Sequence, residues 1–177
     1  MSAEYTSTKP SQDWKIPLWR NGEQVSTANT FDVISPGTDK ALYKSSAASE
    51  DDALAAVAAA EAALPKWSQT KPSERRDLLL RAADEFVRRK DDLWHFCSTE
   101  TGSTPPYFDF DFNDALESLK SCAGLIATIQ GSVPSILNED RSAMVVKEPY
   151  GVVLSIAPWN APCILGLRSF LGPIASE

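Results

Sequence analysis

The sequence is poor in the residues that build a metal centre or a disulfide scaffold. Its 177 residues include one histidine, His95, and three cysteines, Cys97, Cys122 and Cys163. The cysteines are odd in number and widely spaced, with no Cys-x-x-Cys. That pattern argues against a disulfide framework or a zinc site, and it points to a reducing compartment, the cytoplasm. A lone histidine cannot assemble a histidine-based metal site. Cys97, two residues along the same helix, points away from it, so His95 is not expected to act as a base and no metal is expected. Positive charge is also scarce. With 17 basic against 24 acidic residues the formal net charge is −7, which argues against a nucleic-acid surface. Also missing are G-x-G-x-x-G, any internal repeat, and a secretory apolar core within Met1–Asp13. The stretch from Val152 to Ala175 is long enough to cross a membrane, but it carries Asn160, Arg168 and three prolines. No span is expected there.

What is present is ordinary globular chemistry. Hydrophobic residues make up 43% of the chain and charged ones 23%, enough to bury a real core in one to two domains. Residues 1–14 read as a loose polar tail. Ile16-Pro17-Leu18-Trp19 meets Arg20 to Val25 across Asn21-Gly22, a dipeptide that favours positive φ at both central positions of a hairpin turn. Phe31 to Ile34 is a further short strand, stopped by Ser35-Pro36-Gly37-Thr38. The entry to the chain is therefore expected to be a small β-meander.

Four helices follow. Ser49 is a good N-cap, with acids at 50–52 in the first turn. Leu54, Val57, Ala58 and Ala62 recur at helical spacing until Pro65, which is expected to end the helix. Pro72 opens the next helix. Its buried stripe is Leu79, Ala82, Ala83, Phe86 and Val87, with Arg75, Arg76, Arg81, Arg88, Arg89 and Lys90 on a solvated face. Asp91 to Thr101 is a third helix, with Gly102 placed as a C-cap glycine. Thr104-Pro105-Pro106 breaks the pattern. Tyr107 to Phe112 then alternates aromatics with Asp109 and Asp111, which suits docking or core packing better than a metal loop. Ala115, Leu116, Leu119, Ala123, Ile126 and Ala127 mark the fourth helix, ending near Gly131.

The polar loop around Asn138, Glu139 and Asp140 leads into a strand pattern, Ala143 to Pro149. Gly151 to Ala157 is almost continuously apolar and reads as a buried parallel strand. Pro158-Trp159-Asn160 is a turn, and a helix follows with Pro162 near its start. In a strand–turn–helix unit, ligands bind at the carboxyl end of the strand. There the Asn160 side-chain amide can serve as a donor to a developing oxyanion. It can equally well just close the turn and cap the helix. Cys163 has no local base and reads as a structural thiol.

Glu148-Pro149-Tyr150-Gly151-Val152-Val153, then Ile156 to Pro162, then Leu167-Arg168 and Pro173-Ile174-Ala175, closely resemble the aldehyde dehydrogenase superfamily. Ser35 to Thr38, the helix before Trp67, Ser73-Glu74-Arg75 and Glu100-Thr101-Gly102 match in the same order. The likeness implies an α/β fold in which a β-meander and helices precede the first strand–turn–helix of an incomplete Rossmann-like, cofactor-binding domain over residues 15–177. It also implies oxidation of an aldehyde to a carboxylic acid through a cysteine thiohemiacetal, with NAD or NADP as acceptor. Asn160 takes the place of the oxyanion donor. Ile156, Ala157, Pro158 and Trp159 take the place of the lining of the nicotinamide-ribose side. Enzymes acting on aromatic aldehydes are nearest in style.

The resemblance also implies gaps. Family members are about three times this length. Their nucleophilic cysteine and general-base glutamate lie beyond the Pro-Trp-Asn region, and none of Cys97, Cys122 or Cys163 takes the nucleophile's place. The chain is therefore expected to be an N-terminal portion, inactive alone. The alternative is a non-catalytic protein that docks onto full-length relatives or forms homo-oligomers. Missing strand partners are expected to leave Val152, Leu154, Ile156 and the final helix exposed, making the chain prone to aggregate.

Overall fold

A computed structural model describes residues 14–137 and 140–176. Most of the N-terminal tail, together with Asn138 and Glu139, lies outside the described residues. Trp14 does not belong to a tail. Its ring meets Tyr43 edge-on at 5.1 Å and stacks on Phe96 at 6.0 Å. The chain divides into two compact units, Met1–Ala63 with Arg89–Phe110, and Leu64–Arg88 with Asp111–Glu177.

The first unit holds the strands β1 (Lys15–Ile16), β2 (Leu18–Arg20), β3 (Glu23–Val25), β4 (Thr30–Ile34) and β5 (Ala41–Ser46). β2 and β3 form the hairpin that Asn21-Gly22 predicts, with φ of 54° and 79° at those two residues. The rest is not a meander. β5 is central in a three-stranded sheet, antiparallel to β4 and parallel to β1. The sequence gives β5 little signal, because Lys44, Ser45 and Ser46 are weak strand formers. The Ser35 to Lys40 turn joins β4 to β5: the Ser35 N–H donates to the Lys40 carbonyl at 2.9 Å and the Asp39 N–H to the Ser35 carbonyl at 2.8 Å.

Helix α1 (Glu50–Trp67) starts where Ser49 predicts. The Asp52 amide donates to Ser49 Oγ at 3.2 Å, and the Ser49 amide donates back to Asp52 Oδ2 at 3.0 Å, a reciprocal capping box. Two expectations fail for α1. Its Leu54, Val57, Ala58 and Ala62 are exposed, and Ala55 and Ala59 are the half-buried pair one turn apart. The helix also runs two residues past Pro65, because a proline in the last turn costs a single ladder bond. α3 (Lys90–Glu100) ends as expected. Gly102 adopts φ 69°, and the amides of Thr101 and Ser103 both donate to the Cys97 carbonyl.

The second unit holds α2 (Pro72–Arg88), most of α4 (Pro105–Leu125), a short 3₁₀ turn over Ile126–Thr128 and α5 (Pro162–Ser176). Its core is Leu79 and Ala83 of α2, Leu119 and Ala123 of α4, Ile126, and Leu171 and Ala175 of α5. Each fully buried leucine contributes about 2 kcal/mol of transfer free energy. Phe86 stacks on Phe112 with ring centroids 4.7 Å apart. Ala82 and Val87 face solvent, so the buried stripe of α2 is narrower than the sequence suggests. Arg75 lies on the buried side instead of the solvated face, with Nη1 donating to the Thr70 carbonyl at 2.8 Å.

α4 begins at Pro105 rather than breaking there, since proline suits the first helical position. The aromatic–acid alternation of residues 107–112 is therefore wound into helix. Phe108, Asp111 and Phe112 are buried, while Phe110 and Asp109 face out. Ala127 is exposed beyond its end.

Two expected strands are absent. Ala143 to Pro149 makes only the Ser132–Val145 bridge. Gly151 to Ala157 is neither strand nor buried: it is an irregular segment, and from Val152 onward it is exposed. A strand exists by its ladder, and among the described residues no segment pairs with this one. The expected exposure of Val152, Leu154 and Ile156 is present. The final helix is different, because Ile164, Leu171 and Ala175 are buried. No helix among the described residues is long and apolar enough to cross a membrane.

Candidate active-site segment

Ile156, Ala157, Pro158, Trp159 and Asn160 remain one continuous exposed segment leading into α5. Ile156 is 84% exposed and Trp159 77%. The chain turns inward at Ala161, which is buried. Ala161 acts as the N-cap residue, its carbonyl accepting the Leu165 amide at 3.0 Å.

The cap itself comes from elsewhere. Asp111, only 2% exposed, places both carboxylate oxygens on the start of α5. Oδ2 accepts the Cys163 amide at 3.1 Å and Oδ1 accepts the Ile164 amide at 2.8 Å. These are the second and third helical positions, the donors a local N-cap side chain would bond. Asp111 thus caps the start of α5 from α4. The negative carboxylate also sits at the positive end of the α5 dipole. One turn further along α4, Asp114 accepts from Arg168 Nη2 at 3.0 Å.

A second anchor lies on the other side of the segment. Pro173 has no amide hydrogen, so the Ser169 carbonyl, four residues earlier in α5, loses its helical donor. The Ser155 hydroxyl donates to that carbonyl. Ser155 therefore fills a gap in the α5 ladder and holds the exposed segment against the helix.

The sequence singles out neither residue for this role, yet each leaves a trace. Asp111 lies inside the helical stripe Phe108, Phe112, Ala115, Leu119, where an acid has to find a partner. Pro173 within a helical pattern marks an orphaned carbonyl.

The thiols are poor nucleophile candidates. Cys97 and Cys163 are buried. Cys122 is half-buried, and burial pushes its thiol pKa up, away from the reactive thiolate.

An α/β fold with this Pro-Trp-Asn approach to a helix defines a class. The aldehyde dehydrogenase family model matches residues 19–176, and the chain belongs to that family. It is 43% identical over 162 residues to a vanillin dehydrogenase of Pseudomonas sp. (strain HR199 / DSM 7063), covering 90% of this chain and 34% of that protein. The crystal structure of a salicylaldehyde dehydrogenase from Pseudomonas putida G7 complexed with salicylaldehyde superposes with a TM-score of 0.86 at 28% identity, covering 91% of this chain and 34% of that one. A betaine aldehyde dehydrogenase from Staphylococcus aureus in complex with NAD+ gives 0.82 at 28% identity, covering 89% and 32%. The chain spans about a third of the length of the relatives it matches.

Proposed function

We propose that this chain supplies the oxyanion donor and part of the cofactor lining for NAD(P)-dependent oxidation of an aldehyde, with aromatic aldehydes such as vanillin or salicylaldehyde as the substrate class. In the overall reaction the aldehyde carbon gives a hydride to the nicotinamide and gains an oxygen from water, releasing a proton. NAD or NADP, when bound, supplies the hydride acceptor. Asn160 donates its carboxamide N–H to the oxygen that gains charge. Such a donor is worth about 3–4 kcal/mol of transition-state stabilisation. The observation that carries this reading is the exposure of Asn160 at the mouth of a helix whose first amides are held by Asp111. The exposed apolar faces of Ile156 and Trp159 suit one side of a flat nicotinamide ring. The two relatives that act on aromatic aldehydes support the substrate class.

The chain alone is inactive on this reading, because its three thiols are buried or held in the thiol form. Pure protein mixed with vanillin and NAD+ or NADP+ is expected to form no reduced cofactor. Steady turnover would overturn that statement. The lining is tested by NMR: NAD+ or NADP+ should shift the Ile156 and Trp159 signals, and shifts spread evenly over the surface would count against it. Free thiols throughout fit a cytoplasmic protein.

A second reading rests on the exposure of Leu154 and Ile156, both at 84%. An unpaired apolar segment can take a partner, so the chain would dock onto full-length relatives or onto itself. Co-purification with a full-length aldehyde dehydrogenase supports it, and a strictly monomeric chain that ignores one overturns it.

A further inference from the structure

We infer that Asp111 and Ser155 are positioning residues for Asn160, acting as a clamp on the two sides of the segment 156–160. The inference rests on the proposed role of Asn160 and adds the means by which it is held. The segment has no strand ladder to fix it, and its side chains face solvent from Ile156 to Asn160. A donor is effective only if its position is set before charge develops. Two attachments meet that need here. On the amino side, the Ser155 hydroxyl bonds the Ser169 carbonyl, the acceptor that Pro173 leaves without a helical donor. On the carboxyl side, the buried Asp111 carboxylate binds the amides of Cys163 and Ile164, three and four residues after Asn160. Both attachments end on α5, whose Leu171 and Ala175 belong to the core of the same unit. The seven residues between the anchors, Ile156 to Pro162, therefore form a short span fixed at each end to one rigid helix.

The test uses the 177-residue chain with three substitutions, Asp111→Asn, Ser155→Ala and the control Asp114→Asn, which breaks the Arg168 pair without touching the α5 amides. The readout is the Asn160 side-chain NH2 resonance pair and its order parameter, with amide exchange at Cys163 and Ile164 followed in parallel. Asp111→Asn and Ser155→Ala should both move the Asn160 resonances toward those of a free asparagine and lower its order. Asp111→Asn alone should speed exchange at Cys163 and Ile164 by about tenfold or more, the scale of a charge-assisted hydrogen bond. The control should change neither. If exchange at the two amides quickens while the Asn160 signals stay put, Asp111 is only a helix cap and the inference fails. Should the two variants not fold, order parameters of the unsubstituted chain decide. Residues 157–160 as rigid as α5 support the clamp, and residues as mobile as Val153 and Leu154 overturn it. The outcome is separable from the functional reading. A chain that passes this test but shows no nicotinamide-dependent shift at Ile156 and Trp159 keeps its clamp and loses the cofactor role.

Discussion

Asp111 on α4 holds the start of α5 through the amide of Ile164, its Oδ1 lying 2.8 Å from that nitrogen. The two residues are 53 positions apart, so the helix that follows the Pro-Trp-Asn turn takes its cap from a distant helix.

Removing that carboxylate should cost more than an ordinary surface cap. Asp111→Ala removes the carboxylate that two buried amides bond, a loss of about 3 kcal/mol when hydrogen bonds to a charged group contribute roughly 1.5–3 each. Urea unfolding should show a lower midpoint at unchanged slope. A midpoint within error of the parent would mean that water takes over the cap.

Gly131 is a second sensitive position. A Cβ there would sit 2.2 Å from the Val145 carbonyl oxygen, beside the reciprocal Ser132–Val145 hydrogen bonds of 3.1 and 2.8 Å. Gly131→Ala should part these two segments and destabilise the chain by about 1–3 kcal/mol, the usual range for overpacking. Gly124, with nothing near its own Cβ position, is the matched comparison. Its alanine variant should be neutral or slightly stabilising in the last turn of α4.

The α1 cap carries a pH signature. The Ser49 backbone amide, then its hydroxyl, hydrogen-bond the Asp52 carboxylate, with Arg20 adding charge, and together they hold its pKa below the ordinary carboxylate value. A depressed folded pKa stabilises above the unfolded pKa, and the contribution disappears as pH falls through the folded one. The parent should therefore be more stable than Asp52→Ala at neutral pH, and the gap should narrow on acidification below the usual carboxylate range. Thermal melts followed by circular dichroism across that range check it. A gap independent of pH would locate the effect in helix propensity instead.

Much of the architecture was legible in local chemistry, because its causes are local. Asn21-Gly22 dictates a hairpin, Ser49 with Asp52 dictates a helix start, and Pro72 and Gly102 mark a start and a stop. What escaped was set by pairing, winding and packing that no short motif records. β5 is held by pairing on both edges rather than by its own Ala-Leu-Tyr-Lys-Ser-Ser. The 107–112 alternation looks like a strip in sequence, but helical winding buries Asp111 with Phe108 and Phe112. Arg75 belongs to a basic row in sequence, yet it is buried and donates to the Thr70 carbonyl. The segment from Gly151 to Ala157 shows the opposite failure. Its composition suits a buried strand, but composition cannot supply neighbours. The Pro-Trp-Asn pattern draws the eye to Asn160, whereas the contacts of Asp111 and Ser155 come from tertiary geometry that no short motif encodes.

The unpaired segment should also govern solubility. Leu154 is 84% exposed within an apolar run, and such segments recruit further copies. Leu154→Asn should raise the concentration at which light scattering begins, leaving the far-ultraviolet spectrum unchanged. An equal onset in both proteins would place the sticky surface elsewhere, for example around Leu137 and Met144, which are also exposed.

The pairing of Ser155 with the carbonyl that Pro173 leaves vacant makes the two positions genetically interdependent. While proline stands at 173, loss of the Ser155 hydroxyl strands an acceptor. Once residue 173 carries an amide, the helix can serve Ser169 itself and Ser155 becomes dispensable to it. The same serine substitution is thus costly or mild according to the residue present 18 positions downstream, and the easy mutational route away from this arrangement begins at the proline.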